Sequence, residues 1–179
     1  MSDPVVAVVV GAGLGLRFGG RTPKPALKLS GKAVLAMSVE AMAAAGCTHA
    51  VVVLNPLVAE KLGASLSASP IPVHQTLGGD SRQASVFNGL KVVHDHPTLS
   101  KAEVVLIHDA VRPMVPAHVA ESVIEAVRDG ADAVAPAVAV SDSMRMVAED
   151  GTTSVVDRSL LRAVQTPQGF RLPVIWESH

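Results

Sequence analysis

The stretch "PVVAVVVGAGLGLRFGG" (residues 4–20) joins an apolar run to a glycine-rich turn. The unbroken apolar run Val5 to Val10 is typical of a strand that is buried on both faces of a parallel sheet. Glycines directly after such a strand allow the backbone to approach a phosphate group closely. The stretch therefore predicts an α/β protein with a phosphate-binding turn, and three types of turn can be compared with it.

The first type is the dinucleotide-binding pattern G-x-G-x-x-G. Gly11 and Gly13 fit this pattern, but Leu16 stands at its third position. The next predicted strand ends in Asn55, where the pattern needs an acid that binds the ribose hydroxyls. The sequence therefore disfavours a dinucleotide site and, with it, a hydride-transferring dehydrogenase.

The second type is the P-loop, G-x-x-x-x-G-K-[ST], which "GLRFGGRT" (residues 15–22) approximates. Arg21 stands in place of the lysine, and Pro25 follows where the P-loop helix has to begin. Because proline obstructs a helix interior, the similarity to a P-loop is attributed to chance.

The third type is G-x-G-x-R followed by P-K, and here every position fits. Arg17 and Lys24 both belong to a loop whose backbone N–H groups can hold a triphosphate. Two fixed cations would also stabilise the charge that develops during phosphoryl transfer. We therefore expect a triphosphate-binding loop, although a tight turn with two solvated cations fits the same residues.

Composition narrows the class of protein. The 179 residues suit one α/β domain with a substantial core, and a net charge of -1 with few aromatic residues disfavours nucleic-acid binding. No apolar run is long enough to span a bilayer. The single cysteine, Cys47, and an N-terminus without a basic region predict a cytoplasmic protein with no membrane partner.

Strand and helix patterns alternate along the chain, which predicts a mostly parallel sheet with right-handed crossovers. Strands are predicted at 5–10, 50–54, 103–107 and 131–138, and helices at 34–46, 83–93 and 118–130. The expected fold is a three-layer α/β fold with Rossmann-like nucleotide-binding topology. The segment "SDSMRMVAEDGTTSVVDRS" (residues 141–159) predicts a β-hairpin, either a protruding arm (about 139–159) that contacts a second subunit or a surface loop.

Six motifs occur in a fixed order along the chain. They are "GAGLGLR" (11–17), "PK" (23–24), "GGDSRQASV" (78–86), "HDAVRP" (108–113), "DSMR" (142–145) and "TPQGF" (166–170). From residue 5 to about 172 the chain resembles the 2-C-methyl-D-erythritol 4-phosphate cytidylyltransferases of the non-mevalonate isoprenoid pathway. The resemblance implies one nucleotidyltransferase domain over 1–179. Its reaction would join CTP and 2-C-methyl-D-erythritol 4-phosphate into 4-diphosphocytidyl-2-C-methyl-D-erythritol, releasing pyrophosphate.

The resemblance also implies roles for individual residues. Arg17, Lys24 and Arg158 would be catalytic, and Asp109 would reach a Mg²⁺ ion that the triphosphate carries. Residues that would contact CTP are Gly11, Ala12, Gly13, Gly15, Gly79, Asp80, Arg82 and Ser85. Residues that would bind the acceptor are Asp142, Ser143, Arg145, Thr166 and Gln168, with the hairpin arm of a homodimer partner contributing.

The chain departs from the family pattern at several positions. Val10 and Gly11 replace the usual proline and alanine, and Ser143 and Arg145 stand where D-T-x-K is usual. The family pattern continues with a C-terminal strand and helix, and the resemblance implies that this chain lacks them. Two alternatives therefore stay open: a related nucleotidyltransferase that uses ribitol phosphate or a sugar phosphate, or an inactive truncated protein that binds CTP.

Overall fold

A computed structural model describes residues 3–13 and 23–179. Its strands are β1 (Val5–Gly11), β2 (Lys28–Leu29), β3 (Lys32–Ala33), β4 (His49–Leu54), β5 (Val73–Leu77), β6 (Val104–Asp109), β7 (Ala133–Val134), β8 (Ala137–Ala139), β9 (Met144–Val147), β10 (Thr153–Val156), β11 (Arg162–Val164) and β12 (Gln168–Arg171). Its helices are α1 (Val34–Ala44), α2 (Ala59–Ala64), α3 (Arg82–Asp95), α4 (Ala117–Arg128) and α5 (Leu172–Glu177). None of the helices in these ranges has the length and apolar character needed to cross a bilayer.

The described residues form a central sheet with the strand order β5-β4-β1-β6-β12-β7. Strands β5, β4, β1 and β6 are parallel, and in the middle of the sheet Val8 pairs with Val51 on one side and Ile107 on the other. Strand β12 runs antiparallel to both of its neighbours. The predicted α/β fold with a mostly parallel sheet is therefore confirmed.

The apolar run of β1 lies in the middle layer of three. Val5, Ala7 and Val9 pack on one side against α1 and α4, while Val6 and Val8 pack on the other side with α3 and α5. All five side chains are at most 2% exposed. Both faces of the sheet are thus covered by helices, which is why the strand needs no polar face.

The predicted strand at 131–138 is wrong as a single element. Strand β7 joins the central sheet through β12, whereas β8 pairs antiparallel with β11 in a separate small sheet. Pro136 separates the two strands and has no N–H to continue a ladder of hydrogen bonds. The break directs the chain out of the central sheet shortly before the arm.

The predicted hairpin is confirmed. Strands β9 and β10 pair antiparallel: Met144 lies opposite Val156, and Val147 lies opposite Thr153. Gly151 in the turn between them has a φ of +81°. Arg145 Nε donates to Thr153 Oγ1 across the hairpin at 2.9 Å. Val156 is half-buried, and the other residues of both strands are exposed to solvent in this single chain.

Candidate active site

A cavity of about 740 Å³ opens at the carboxyl ends of β1, β4 and β6. Ligands bind at this edge in open α/β sheets, because loops after the parallel strands converge there. The described residues that line the cavity are Val10, Gly11, Ala12, Gly13, Lys24, Pro25, Asn55, Gly79, Asp80, Ser81, Arg82, Ser85, Asp109 and Val111. The structure thus brings together most residues that the sequence assigned to CTP, with Lys24 and Asp109 in the same cavity. Gly15 and Arg17 lie outside the described residues.

The end of β1 is fixed by the side chain of Asn55, a residue that in the sequence alone indicates only that the dinucleotide pattern is not met. Asn55 Nδ2 donates to the Ala12 carbonyl at 3.0 Å, and Asn55 Oδ1 accepts from the Leu57 N–H at 3.0 Å. In a trans peptide the C=O and N–H groups point in opposite directions. Anchoring the Ala12 carbonyl therefore also fixes the direction of the Gly13 N–H.

Residues 78–81, for which the resemblance implies contact with CTP and which are called the nucleotide loop below, pack on the described part of the glycine turn (residues 11–13). A Cβ atom at Gly78 would lie 2.2 Å from Ala12 Cβ, so only glycine allows this approach. Ser85, which is 3% exposed, accepts through Oγ from the Gly79 N–H at 3.1 Å. Asn88 Nδ2 donates to the Leu77 carbonyl at 2.9 Å, just before the loop. The main chain of the loop and of the residue before it is thus held by two side chains of α3.

Asp109, the last residue of β6, is paired with two arginines. Arg82 Nη2 lies 2.8 Å from Asp109 Oδ1, and Arg112 Nε lies 3.3 Å from Asp109 Oδ2. Arg112 Nη1 also donates to Gln165 Oε1. Both oxygens of the expected metal-binding carboxylate are therefore engaged by cations in this structure.

His108 is fully buried behind Asp109, where its ring contacts the residues that hold Asp109 in place. Its Nε2 lies 3.1 Å from the Arg112 carbonyl, and its Nδ1 lies 3.2 Å from Thr166 Oγ1. Because a carbonyl only accepts, Nε2 carries the proton, and the Thr166 hydroxyl donates to Nδ1. Thr166 Oγ1 accepts in turn from the Asp109 N–H at 3.4 Å. Burial lowers the pKa of His108, which favours this neutral form.

The residues expected to bind the acceptor lie in three places: on the arm, beneath Asp109, and beside a second cavity. Asp142, Ser143 and Arg145 belong to the arm and are exposed. Arg158, for which the resemblance implied a catalytic role, follows β10, is also exposed, and donates through Nη1 to the Ser141 carbonyl at the base of the arm. Thr166 lies beneath Asp109, as described above.

Gln168 lines a neighbouring cavity of about 440 Å³ rather than the larger one. Phe170 and Ile175 supply apolar walls of this second cavity, and Arg82 borders both cavities. Of the described residues assigned to CTP, Arg82 is the one that shares this second cavity with Gln168.

The donor set suits a magnesium ion that arrives with a nucleotide. The described residues contain no group of three or more His, Cys, Asp or Glu side chains arranged to hold a metal. Mg²⁺ commonly takes one or two protein carboxylates and completes its shell with water and substrate phosphates. Asp109, a hard oxygen donor that borders the cavity, fits this mode. The run His94–Asp95–His96 is not a ligand set: His94 stacks on Trp176 with ring centres 4.0 Å apart.

Three comparisons relate this chain to known proteins. A profile of the family IspD, 2-C-methyl-D-erythritol 4-phosphate cytidylyltransferase, matches residues 5–179. The chain is 38% identical to the 2-C-methyl-D-erythritol 4-phosphate cytidylyltransferase of Streptomyces avermitilis, over 97% of this chain and 72% of that protein. It is 41% identical to the enzyme of that name from Rhodococcus opacus, over 93% of this chain and 71% of that protein.

Structural similarity agrees at the level of the fold. The crystal structure of 4-diphosphocytidyl-2C-methyl-D-erythritol synthase from Anaerococcus prevotii matches with a TM-score of 0.81 at 24% identity, covering 98% of this chain and 73% of that one. The profile covers nearly the whole chain, and the curated relatives share more than a third of its residues. The chain belongs to the 2-C-methyl-D-erythritol 4-phosphate cytidylyltransferase family of enzymes.

Proposed function

We propose that this chain transfers the cytidylyl group of CTP to 2-C-methyl-D-erythritol 4-phosphate and releases pyrophosphate. The observation that carries the proposal is the 740 Å³ cavity, which joins the glycine turn, Lys24, the nucleotide loop and Asp109 at one edge of the sheet. The family of the chain supplies the reaction, and the cavity supplies groups suited to a nucleoside triphosphate.

The nucleotide loop is suited to reading the base. Gly79 and Asp80 border the cavity, and the hydrogen bond from the Gly79 N–H to Ser85 Oγ fixes the loop. Rigid backbone donors and acceptors discriminate between bases because a wrong base leaves them unpaired. We assign cytosine to this loop and the triphosphate to the glycine turn.

The chemistry requires positioning and charge stabilisation more than proton transfer. The acceptor phosphate is already an anion, and one of its oxygens attacks the α-phosphorus of CTP in line with the departing pyrophosphate. The new O–P bond forms as the bond between the α-phosphorus and the bridging oxygen breaks. Lys24 is assigned to the charge that accumulates on the phosphate oxygens, together with Arg17.

Asp109 is the proposed protein ligand for magnesium. When bound, Mg²⁺ neutralises charge on the triphosphate and orients it. Thr166 and His108 hold the main chain of Asp109 from below, as their hydrogen bonds indicate. Their proposed role is to keep the carboxylate at the mouth of the cavity.

The arm is the proposed contact between the subunits of a homodimer. Its strands expose large apolar side chains, with Met146, Val147 and Val155 at 64%, 68% and 77% exposure. An apolar, two-stranded element that projects from a sheet is suited to packing on a second copy. Asp142, Ser143, Arg145 and Arg158 lie on or next to this element, so dimerisation would bring them to the partner's acceptor site.

The proposed compartment is the cytoplasm. Cys47, the single cysteine, is 3% exposed, and burial raises the pKa of its thiol to about 12. Such a thiol is an inert core residue, which suits a protein that keeps its cysteine reduced.

Pyrophosphate release tests the proposal. The protein is mixed with Mg²⁺, 2-C-methyl-D-erythritol 4-phosphate and each of the four common nucleoside triphosphates in turn. We expect release with CTP and at least tenfold slower release with the others. A parallel series with ribitol 5-phosphate as acceptor should give little release. Release at the same rate with both acceptors would refute the assignment of the acceptor. Release with another nucleotide at the same rate as with CTP would refute the assignment of CTP.

A further inference from the structure

The carboxylate assigned to magnesium is occupied in the structure by a side chain that also belongs to the nucleotide site. Arg82 is the first residue of α3, and it projects into the cavity, where its Nη2 lies 2.8 Å from Asp109 Oδ1. The side chain of Arg82 is 52% exposed and that of Asp109 is 27% exposed. The ion pair is therefore accessible to water and to any ligand in the cavity.

The two arginines on Asp109 are held differently. Arg112 is also bound by Gln165, and its carbonyl accepts from the buried ring of His108. Those contacts hold Arg112 independently of its pairing with Asp109. Arg82 instead reaches Asp109 from another element across 27 positions of sequence. Its half-exposed pair resembles surface ion pairs, which are weak and easily exchanged.

A triphosphate offers Arg82 a better partner than one carboxylate does. It carries more negative charge, and arginine binds phosphate with two parallel N–H donors. Arg82 already borders the same cavity as the glycine turn and Lys24. A nucleotide in that cavity therefore competes with Asp109 for Arg82, and a divalent cation competes with Arg82 for Asp109.

We propose that Arg82 is an exchangeable counter-ion of Asp109 that moves to the triphosphate when the nucleotide binds. The inference rests on the proposed function, because it needs a triphosphate in this cavity and a cation on Asp109. It makes Arg82 a positioning residue that couples the two ligands: the cation site opens only as the nucleotide enters. The nucleotide-free enzyme therefore binds divalent cations poorly at Asp109.

Manganese provides a direct probe in the absence of nucleotide. Mn²⁺ is titrated into the nucleotide-free protein, and paramagnetic broadening of the backbone amide signals of Asp109 and Ala110 is followed by NMR. We expect Arg82→Gln to reach half-broadening at a Mn²⁺ concentration at least five-fold lower than the wild type, at the low end of typical coupling between sites. Arg82→Lys, which keeps the charge, should lie between the two.

Lys32→Gln is the matched control for charge and exposure. Lys32 is 51% exposed and pairs with Glu40 at 2.8 Å on the β3–α1 segment, so the substitution removes the same charge from a similar ion pair. It should leave the broadening at Asp109 within two-fold of the wild type. Thermal unfolding of each variant confirms that the folded protein is compared in every case.

Calorimetry separates failure of the inference from failure of the proposed function. If the wild type binds CTP in the presence of Mg²⁺ but Arg82→Gln gains no affinity for Mn²⁺ over the wild type, the proposed function stands and the counter-ion role is wrong. An equal gain of Mn²⁺ affinity in Lys32→Gln would also overturn the counter-ion role, since the gain would then come from the change in net charge alone. If the wild type does not bind CTP, the proposed function fails and the inference fails with it.

Discussion

Asn55 connects two segments of the site through one side chain. Its amide nitrogen holds the Ala12 carbonyl and its amide oxygen holds the Leu57 N–H. From the sequence alone, Asn55 is notable only because it is not an acid, since an asparagine after a strand has no pattern of its own. Its positive role became visible only when the fold placed the end of β4 beside the end of β1.

Replacing Asn55 with alanine should weaken CTP binding without unfolding the protein. Removal of a hydrogen bond of about 1 kcal/mol that orients the Ala12–Gly13 peptide should raise the KM for CTP about five-fold. The KM for the acceptor should change less than two-fold. Steady-state kinetics with each substrate varied in turn measures both.

Ser69→Ala is a suitable comparison, because Ser69 Oγ also donates to a backbone carbonyl, that of Ile71, but far from the cavity. It should leave both KM values unchanged. An unaltered KM for CTP in Asn55→Ala would show that the glycine turn keeps its geometry without this side chain.

His108 makes a second prediction at the scale of one residue, in the response of stability to pH. Burial lowers the pKa of His108 below its usual value of 6.5, whereas hydrogen bonding to the Arg112 carbonyl and the charge of Asp109 act the other way. Below pH 6.5 the unfolded chain therefore binds more protons at this residue than the folded chain does. The free energy of unfolding falls as the pH drops below 6.5, with a slope of at most about 1.4 kcal/mol per pH unit from His108.

Urea unfolding between pH 7.5 and pH 5 measures this slope, and His108→Gln should show a shallower one. His49 and His74, whose pKa values burial also lowers, contribute with the same sign in both proteins and cancel in the comparison. Parallel pH profiles for the wild type and His108→Gln would contradict a neutral, buried His108 in the folded state.

At the scale of elements, the site depends on the contact between the glycine turn and the nucleotide loop. Gly78→Ala should destabilise the protein by about 1–3 kcal/mol, because the new methyl group would overlap Ala12 Cβ and press on Ser85 Oγ. Combining it with Ala12→Gly removes the larger overlap and should recover part of the loss. Chemical denaturation of the single and double variants measures the coupling.

Gly13→Ala is the matched control for this pair. Among residues 3–13 and 23–179, a Cβ atom at Gly13 would meet no other atom within 4 Å, so the free energy of unfolding should stay within about 0.5 kcal/mol of the wild type. Additive effects of Gly78→Ala and Ala12→Gly would mean that the two loops do not touch as the structure shows.

The elements that the sequence predicted well are those with strong periodicity. Strands β1, β4 and β6 and helices α1, α3 and α4 begin and end within a few residues of the predicted ranges, since long apolar runs and helical spacing decide them. Strand β5, "VHQTL", was missed because it lies at the edge of the sheet and is only half-buried, which weakens its apolar pattern. The split near Pro136 depended on pairing with distant strands, which no local pattern reveals.

For the whole molecule, the arm gives a prediction about assembly. Val155→Asp places a charge on its exposed apolar surface and should raise the dissociation constant of the proposed dimer at least tenfold, equivalent to about 1.4 kcal/mol. Leu57→Asp is the control, because Leu57 is similarly exposed (81%, against 77% for Val155) but lies outside the arm. Sedimentation equilibrium measures both. A monomeric wild type, or equal weakening by both substitutions, would rule out the arm as the contact.

Most of the cavity lining was predictable from ordered motifs, because the motifs that begin at Gly11, Gly78 and His108 lie at or just after the ends of the parallel strands β1, β5 and β6, which the fold gathers at one edge. The pairing of Arg82 with Asp109 was not predictable, because the two residues belong to different motifs and are 27 positions apart. The position of Gln168 beside a second cavity also depended on the antiparallel insertion of β12, which an alternation of strands and helices does not predict.

The central claim is that this cavity transfers a cytidylyl group, and phosphorus NMR of the reaction tests it most directly. With CTP, 2-C-methyl-D-erythritol 4-phosphate and Mg²⁺, the wild type should convert both substrates into equal amounts of a cytidine diphosphate ester and pyrophosphate. Lys24→Ala should slow this conversion about 10²–10³-fold, as expected for loss of a group that stabilises charge in the transition state. Release of pyrophosphate with CMP but no diphosphate ester, or no conversion by the wild type, would contradict the account.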